Sequence, residues 1–128
     1  MNFQEQEIGG LHCRIVDQLH GTIRPEWLVL LCHGFGATGD DLVGLASEIL
    51  HLQPTLQNQV RFVFPEAPLS LETLGMVGSR AWWMLDLETF EEALHQGDPR
   101  DLSQSIPNGM PEASMRIGAL MDLLLRDH

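Results

Sequence analysis

The six residues Trp27 to Cys32 (WLVLLC) form an unbroken apolar run, and three glycines follow within seven positions, in His33-Gly34-Phe35-Gly36-Ala37-Thr38-Gly39. An apolar run of this length without glycine or proline fits a strand covered on both faces by helices, and the glycines beyond it end any regular structure. Asp40 and Asp41 then offer a cap and favourable negative charge at a helix N-terminus, and Leu42, Leu45, Ala46, Ile49 and Leu50 share one helical face. Val60 to Phe64 (VRFVF), ended by Pro65, reads as a second apolar strand. Residues 27–64 are therefore expected to form a βαβ unit with a right-handed crossover, and Trp27 to Cys32 to be a central strand.

The flanking chain adds less. Gly10 to Leu19 alternates Leu11, Cys13 and Ile15 with His12, Arg14 and Asp17, which suits a half-buried strand on the flank of a sheet, and His20-Gly21 turns the chain. Between Pro65 and Gly109 the prolines 65, 68, 99 and 107 interrupt periodicity, leaving a short helix from Leu87 to His95. Pro111 and Glu112 mark a further helix start, after which Ala113, Ile117, Leu120 and Leu124 make one apolar stripe, widened by Met121 and Leu125, that wants burial against a sheet. The expected fold class is α/β, a mostly parallel sheet flanked by helices, in one domain spanning 1–128.

Charge and composition exclude several function classes. Seven basic residues against eighteen acidic ones give a net charge of −11, which repels phosphate backbones and anionic headgroups, so nucleic acid is not an expected partner. Met1 to Glu7 is polar and acidic where a secretory signal is basic and then apolar, and the longest apolar run cannot span a bilayer; a cytoplasmic protein without a membrane span is expected. Cys13 and Cys32 each sit in an expected strand and read as buried, reduced thiols. The histidines at 12, 20, 33, 51, 95 and 128 show no metal-site spacing, so no metal and no cofactor is implied.

Glycines at the C-terminal end of a buried strand permit unusual backbone angles and uncover main-chain N–H groups, so this loop can donate hydrogen bonds to an anion. A phosphate is disfavoured: no G-x-x-x-x-G-K-[ST] is present, and no Lys or Arg lies between Arg24 and Arg61. A developing oxyanion remains, beside the plainer role of a tight strand-to-helix turn.

LCHGFGATGDDLVGLA resembles the strand, His-Gly oxyanion loop and helix of the phospholipase/carboxylesterase and acyl-protein thioesterase family of α/β hydrolases. Phe64-Pro65-Glu66-Ala67-Pro68 is similar to that family's next strand and turn. Gly78-Ser79-Arg80-Ala81-Trp82-Trp83 with Asp86 is similar to its Arg-Ala-Trp segment, and Pro111-Glu112 onward to the helix before its nucleophile strand. The resemblance covers residues 27–126 in consistent order. It implies a carboxylic ester or thioester hydrolase acting through an acyl-serine, with the Phe35 backbone N–H as an oxyanion donor. Gly34 and Gly36 would shape the loop and His33 would support it. Met76, Trp82 and Trp83 would line the acyl groove.

The family's nucleophile lies in G-x-S-x-G, and no such motif occurs here. The resemblance puts the start of the nucleophile strand where the chain ends, at His128. The chain is therefore read as the N-terminal portion of a single α/β-hydrolase domain, carrying the oxyanion loop but not the Ser-Asp-His triad. A non-catalytic small-molecule binding or interaction module, or a truncated frame without function, stand as alternatives. Cys32 beside His33 makes a poor nucleophile pair, because consecutive strand residues point to opposite faces. Self-association through an exposed sheet edge, hiding the stripe Ala113, Ile117, Leu120 and Leu124, is the expected consequence of a missing strand.

Overall fold

The computed structural model describes residues 1–84 and 109–128; the expected helix Leu87 to His95 and Asp86 lie outside the described residues. Gly9 and Gly10, with φ of 59° and 81°, form the two-residue turn that joins β1 (Asn2–Ile8) to β2 (Leu11–Asp17). Two consecutive positive φ values match the right-handed twist of a tight hairpin, and glycine reaches them without a Cβ clash. The register runs from Ile8 opposite Leu11 to Asn2 opposite Asp17. After β2 come β3 (Trp27–Leu30), α1 (Gly44–Leu52) and β4 (Val60–Pro65). A two-residue pairing of β5 (Leu69–Ser70) with β6 (Arg80–Ala81) follows, and then α2 (Met110–Asp127).

The main sheet has the order β1-β2-β4-β3. β1 and β2 pair antiparallel, as do β2 and β4, and only β3 and β4 are parallel. The expected mostly parallel, partial α/β-hydrolase sheet is thereby overturned: the sheet is mixed and mostly antiparallel. The cause is the N-terminal hairpin. β1 was not anticipated as a strand, because NFQEQEI lacks an apolar face, yet the Gly9-Gly10 turn folds it back along β2 and adds an antiparallel pairing. The βαβ unit supplies a single parallel pair.

Two positions in the sheet also differ from expectation. Trp27 to Cys32 is not central: β3 stops at Leu30 and occupies an edge, with Trp27 62% exposed. β2, expected on the flank, is an inner strand. Continuous apolarity reports two covered faces and says nothing about the edge. Leu28 and Leu30 pack into one apolar cluster and Val29 and Leu31 into another, while the strand's outer side has no partner among the described residues.

The two clusters lie on opposite faces. On one, Leu120 and Leu124 of α2 are buried with Ile8, Leu11, Cys13, Ile15 and Val63, and Ile117 packs partly against them. Of the stripe expected to be left uncovered, Leu120 and Leu124 are therefore covered by the sheet and Ile117 partly so; Met121 and Leu125, at its margin, are exposed. On the other face Ala46 and Leu50 of α1 are buried with Val16, Val60, Phe62 and Phe64. This helix begins later than Asp40 and Asp41 suggest. The Asp40 carboxylate accepts from the Thr38 hydroxyl, and the Asp41 and Val43 amides bond back to the Thr38 and Asp40 carbonyls, so residues 40–43 form turns. Leu45, counted on its apolar face, is exposed. Asp17, itself buried, accepts from Asn2 Nδ2, the Leu19 N–H and Arg61 Nε, tying β1, β2 and β4 together at one end. No helix of the described residues is long and apolar enough to cross a membrane.

Burial, with smaller contributions from the Glu7 carboxylate and from Cys32, pushes the Cys13 thiol up to about 12 from 9.0. The unfolded chain gives up this proton near 9 while the folded one holds it to about 12, so stability is lost as pH rises through that window. The sequence contains no lysine and no tyrosine, leaving the thiols as the side chains that titrate there. The urea midpoint of the wild-type chain should fall steadily above pH 9, and that of Cys13→Ala, lower at neutral pH, should fall much less steeply; parallel slopes would contradict the assignment.

Candidate active site

The last backbone bond between β3 and β4 beyond the paired strand runs from the Leu31 N–H to the Val63 carbonyl, at 3.0 Å. Past it the chain leaves the sheet, and His33 turns into the protein, where it is buried. The Ala67 N–H donates to His33 Nε2 at 3.0 Å, so Nε2 is the unprotonated nitrogen. Nδ1–H then donates to the Gly34 carbonyl at 2.9 Å. The His33 carbonyl accepts from Trp82 Nε1–H at 2.9 Å, and the two rings lie 5.7 Å apart. One histidine thus fastens its own loop to the Pro65–Pro68 turn and to the Arg80–Trp83 segment.

The rest of the loop is held by backbone. The Ala37 N–H closes a turn onto the Gly34 carbonyl, with Gly36 at φ 81° in the position where such a turn needs glycine. The Gly36 N–H donates to the Arg80 carbonyl at 2.9 Å and the Arg80 N–H to the Ala37 carbonyl at 3.0 Å. The Arg80 side chain reaches the other way, donating from Nε to the Ala67 carbonyl at 2.6 Å and from Nη2 to the Pro68 carbonyl at 3.0 Å. Gly39 backs directly onto the Arg14–Glu66 ion pair, where a Cβ would collide with both side chains. Three segments far apart in sequence, 33–39, 64–68 and 78–83, therefore make one hydrogen-bonded unit.

Within that unit the Phe35 N–H has no acceptor among the described residues, although the Gly36 and Ala37 amides beside it are both engaged. The Phe35 side chain is 43% exposed. Two residues earlier in the loop lies the wall of a hollow of about 330 Å³, lined by Cys32, His33, Trp82 and Trp83 and by Met110, Ala113, Ser114 and Ile117 of α2. Its surface is almost wholly apolar. Gly109, at φ 90°, lets α2 start against Trp83: a Cβ there would lie 3.1 Å from the Trp83 Cβ.

The structure brings His33, Trp82 and Trp83 to this hollow and leaves Met76 out of it. Met76 packs instead on Gly36, its Cε 3.2 Å from where a Cβ would stand. The α2 side of the hollow was not foreseen: Ala113 and Ile117 read as core stripe, and their spacing could not tell packing on the sheet from overhanging a cavity. Cys32 differs most from expectation, being exposed and beyond the strand rather than buried within it. Partial burial against the apolar wall still raises its thiol above the usual value. At neutral pH it is a protonated thiol and not a nucleophilic thiolate. His33, with both ring nitrogens committed, is not placed to act as a base.

Comparison of the chain with protein-family models, with curated proteins and with solved structures returns no match.

Replacing His33 should show how much the unit depends on it. His33→Phe keeps an aromatic ring near Trp82 but leaves the buried Ala67 N–H without its acceptor, which costs about 1–3 kcal/mol. Trp82→Phe removes only one donor and should cost about 1 kcal/mol beyond its lost packing. Urea unfolding of the two variants should place His33→Phe as the more damaging; the reverse order would mean that the tryptophan, not the imidazole, holds the loop.

Proposed function

We propose that this chain supplies the oxyanion loop and part of the acyl groove of a carboxylic ester or thioester hydrolase of the serine type, and does not itself supply the triad. The observation that carries the reading is the Phe35 N–H, which has no acceptor among the described residues while the Gly36 and Ala37 amides after it are engaged, in a loop whose His33 lines an apolar hollow. An acyl substrate would lay its chain between Trp82, Trp83 and α2 and point its carbonyl oxygen at the Phe35 N–H. As the carbonyl carbon becomes tetrahedral the oxygen gains negative charge, and a donor fixed in advance stabilises that charge without reorganising, at about 3 kcal/mol for one donor. The resemblance of the loop, of Phe64 to Pro68 and of Gly78 to Trp83 to one hydrolase family supports the same reading, since the three motifs are mutually hydrogen-bonded.

The nucleophile would have to come from outside this sequence, which contains no G-x-S-x-G. A binding module without turnover is the second reading. It is favoured by His33, whose two nitrogens are spent on the Ala67 amide and the Gly34 carbonyl and so leave nothing to activate a hydroxyl.

Titration with a non-ionic octanoyl ester, followed by amide and indole NMR, separates these readings. The Phe35 amide proton and the Trp82 and Trp83 indole signals should shift together and saturate. Phe35→Ala, which keeps the N–H, should bind about as well as wild type, and Phe35→Pro, which removes it, about three- to tenfold more weakly. Indole shifts without any change at the Phe35 amide would favour the binding module, and the absence of all shifts would overturn both. The chain alone should not react with a fluorophosphonate; stoichiometric serine labelling would show that it holds a nucleophile after all.

A further inference from the structure

The two edges of the sheet are unlike. β1 is guarded by charge: Glu5 faces Arg14 at 3.3 Å and Glu7 faces His12 at 2.6 Å, and Gln4 and Gln6 alternate with them. Such side chains discourage another strand from pairing. β3, by contrast, is Trp-Leu-Val-Leu with no charge. The Trp27 and Leu31 amides bond toward β4, to the Gln59 and Val63 carbonyls. Alternation along a parallel pair then turns the N–H and C=O of Leu28 and Leu30 to the outer side, which has no partner among the described residues. Beside that open backbone runs an apolar furrow between β3 and α2, lined by Leu28, Leu30, Met121, Leu124 and Leu125. It continues past Trp27 into a hollow of about 360 Å³ that also meets Arg24, Glu26 and His128. Trp27, Met121 and Leu125 are 62%, 50% and 74% exposed.

We infer that β3 is the dimerisation edge of this protein, pairing antiparallel with β3 of a second copy about a two-fold axis. The length and charge of the open segment select that occupant. The pairable stretch is short, the four residues of β3 and Leu31, bounded before Trp27 by Glu26, whose N–H is also spent on Gln59, and after Leu31 by the turn at Gly34. A longer foreign strand would overrun it at both ends, whereas a second β3 has the same span, is equally apolar and lacks a charged guard. The two-fold contact is closed, so it makes pairs and not fibres. Leu28 of each copy would stand opposite Leu30 of the other and Trp27 opposite Leu31, with Met121 and Leu125 flanking the axis on the α2 face.

Area and charge set its strength. The strip offers about eight residues per copy, against roughly 20–30 in a standard interface, so the dimer belongs to the weak, transient class. Each copy also carries −11, and screening that repulsion with salt favours pairing. Dimerisation in the micromolar range, tightening as salt is raised, is the expected result of sedimentation across a dilution series. Hydrogen exchange at high concentration should slow at the Leu28 and Leu30 amides. Trp27→Lys with Leu125→Lys, both on exposed side chains, should weaken association at least tenfold and leave the far-UV spectrum unchanged, while Leu52→Lys, equally exposed on α1, should not alter it. A monomer at all concentrations, a dimer untouched by the double variant, growth into larger oligomers, or unchanged exchange at Leu28 and Leu30 would each overturn the inference. The wild-type dilution and exchange measurements stand even where the double variant fails to fold.

Discussion

The buried imidazole of His33 is the contact on which the ordered end of this molecule depends. A histidine ring offers one donor and one acceptor in its neutral form, and here each has a main-chain partner: the Gly34 carbonyl for Nδ1–H and the Ala67 N–H for Nε2. Two segments that share no secondary structure are joined by one side chain, and the Trp82 indole adds a third through the His33 carbonyl. An unpaired buried amide costs more than a hydrogen bond gains, so the arrangement is held as much by what breaking it would strand as by what making it yields. The Arg80 side chain repeats the pattern on the Ala67 and Pro68 carbonyls. A loop with three glycines, mobile by composition, becomes a fixed platform through partners supplied from distant parts of the chain.

That platform explains why part of the site was legible in the sequence and part was not. Glycine spacing after an apolar run announces a loop with uncovered amides, and His33-Gly34-Phe35-Gly36 could be picked out on that ground alone. The partners that fix it could not. Ala67 contributes only a backbone N–H, which leaves no mark on residue type, and Arg80 reads as an ordinary exposed base until its carbonyl acceptors are seen. Cys32, taken for a buried strand residue, owes its exposure to β3 stopping at Leu30. Met76 was assigned to the groove through a resemblance between segments. Its place on Gly36 reflects how the loop is packed, which a linear motif does not encode.

The fold divides in the same way. The β3-α1-β4 unit follows from apolar runs and one amphipathic stretch, because local pattern and tertiary role agree there. Strand order does not follow. NFQEQEI has no apolar period, and its place as an edge strand comes from the Gly9-Gly10 turn and from cross-strand pairs such as Glu5 with Arg14. These are pairwise relations and not periodicities. Once β1 folds onto β2, and β2 runs antiparallel to β4, the sheet is mixed. The apolar run at 27–32 had suggested a middle strand because burial of both faces and pairing of both edges usually occur together; β3 has the first without the second.

The separation of faces from edges at β3 ties the two ends of the molecule's chemistry together. The strand whose outer edge is open is also the strand from which the Phe35 loop departs, and only Leu31 and Cys32 intervene between its last paired residue and His33. Its inner side is fixed by the β4 ladder, and its far end by His33 and the Arg80 backbone. Any strand added on the outer side would therefore extend the sheet up to the base of the loop without touching the bonds that hold the loop's shape. Among the described residues the Phe35 amide and the outer edge of β3 are both without partners, and the bonds that shape the loop are not those that build the edge, so the two can be occupied independently.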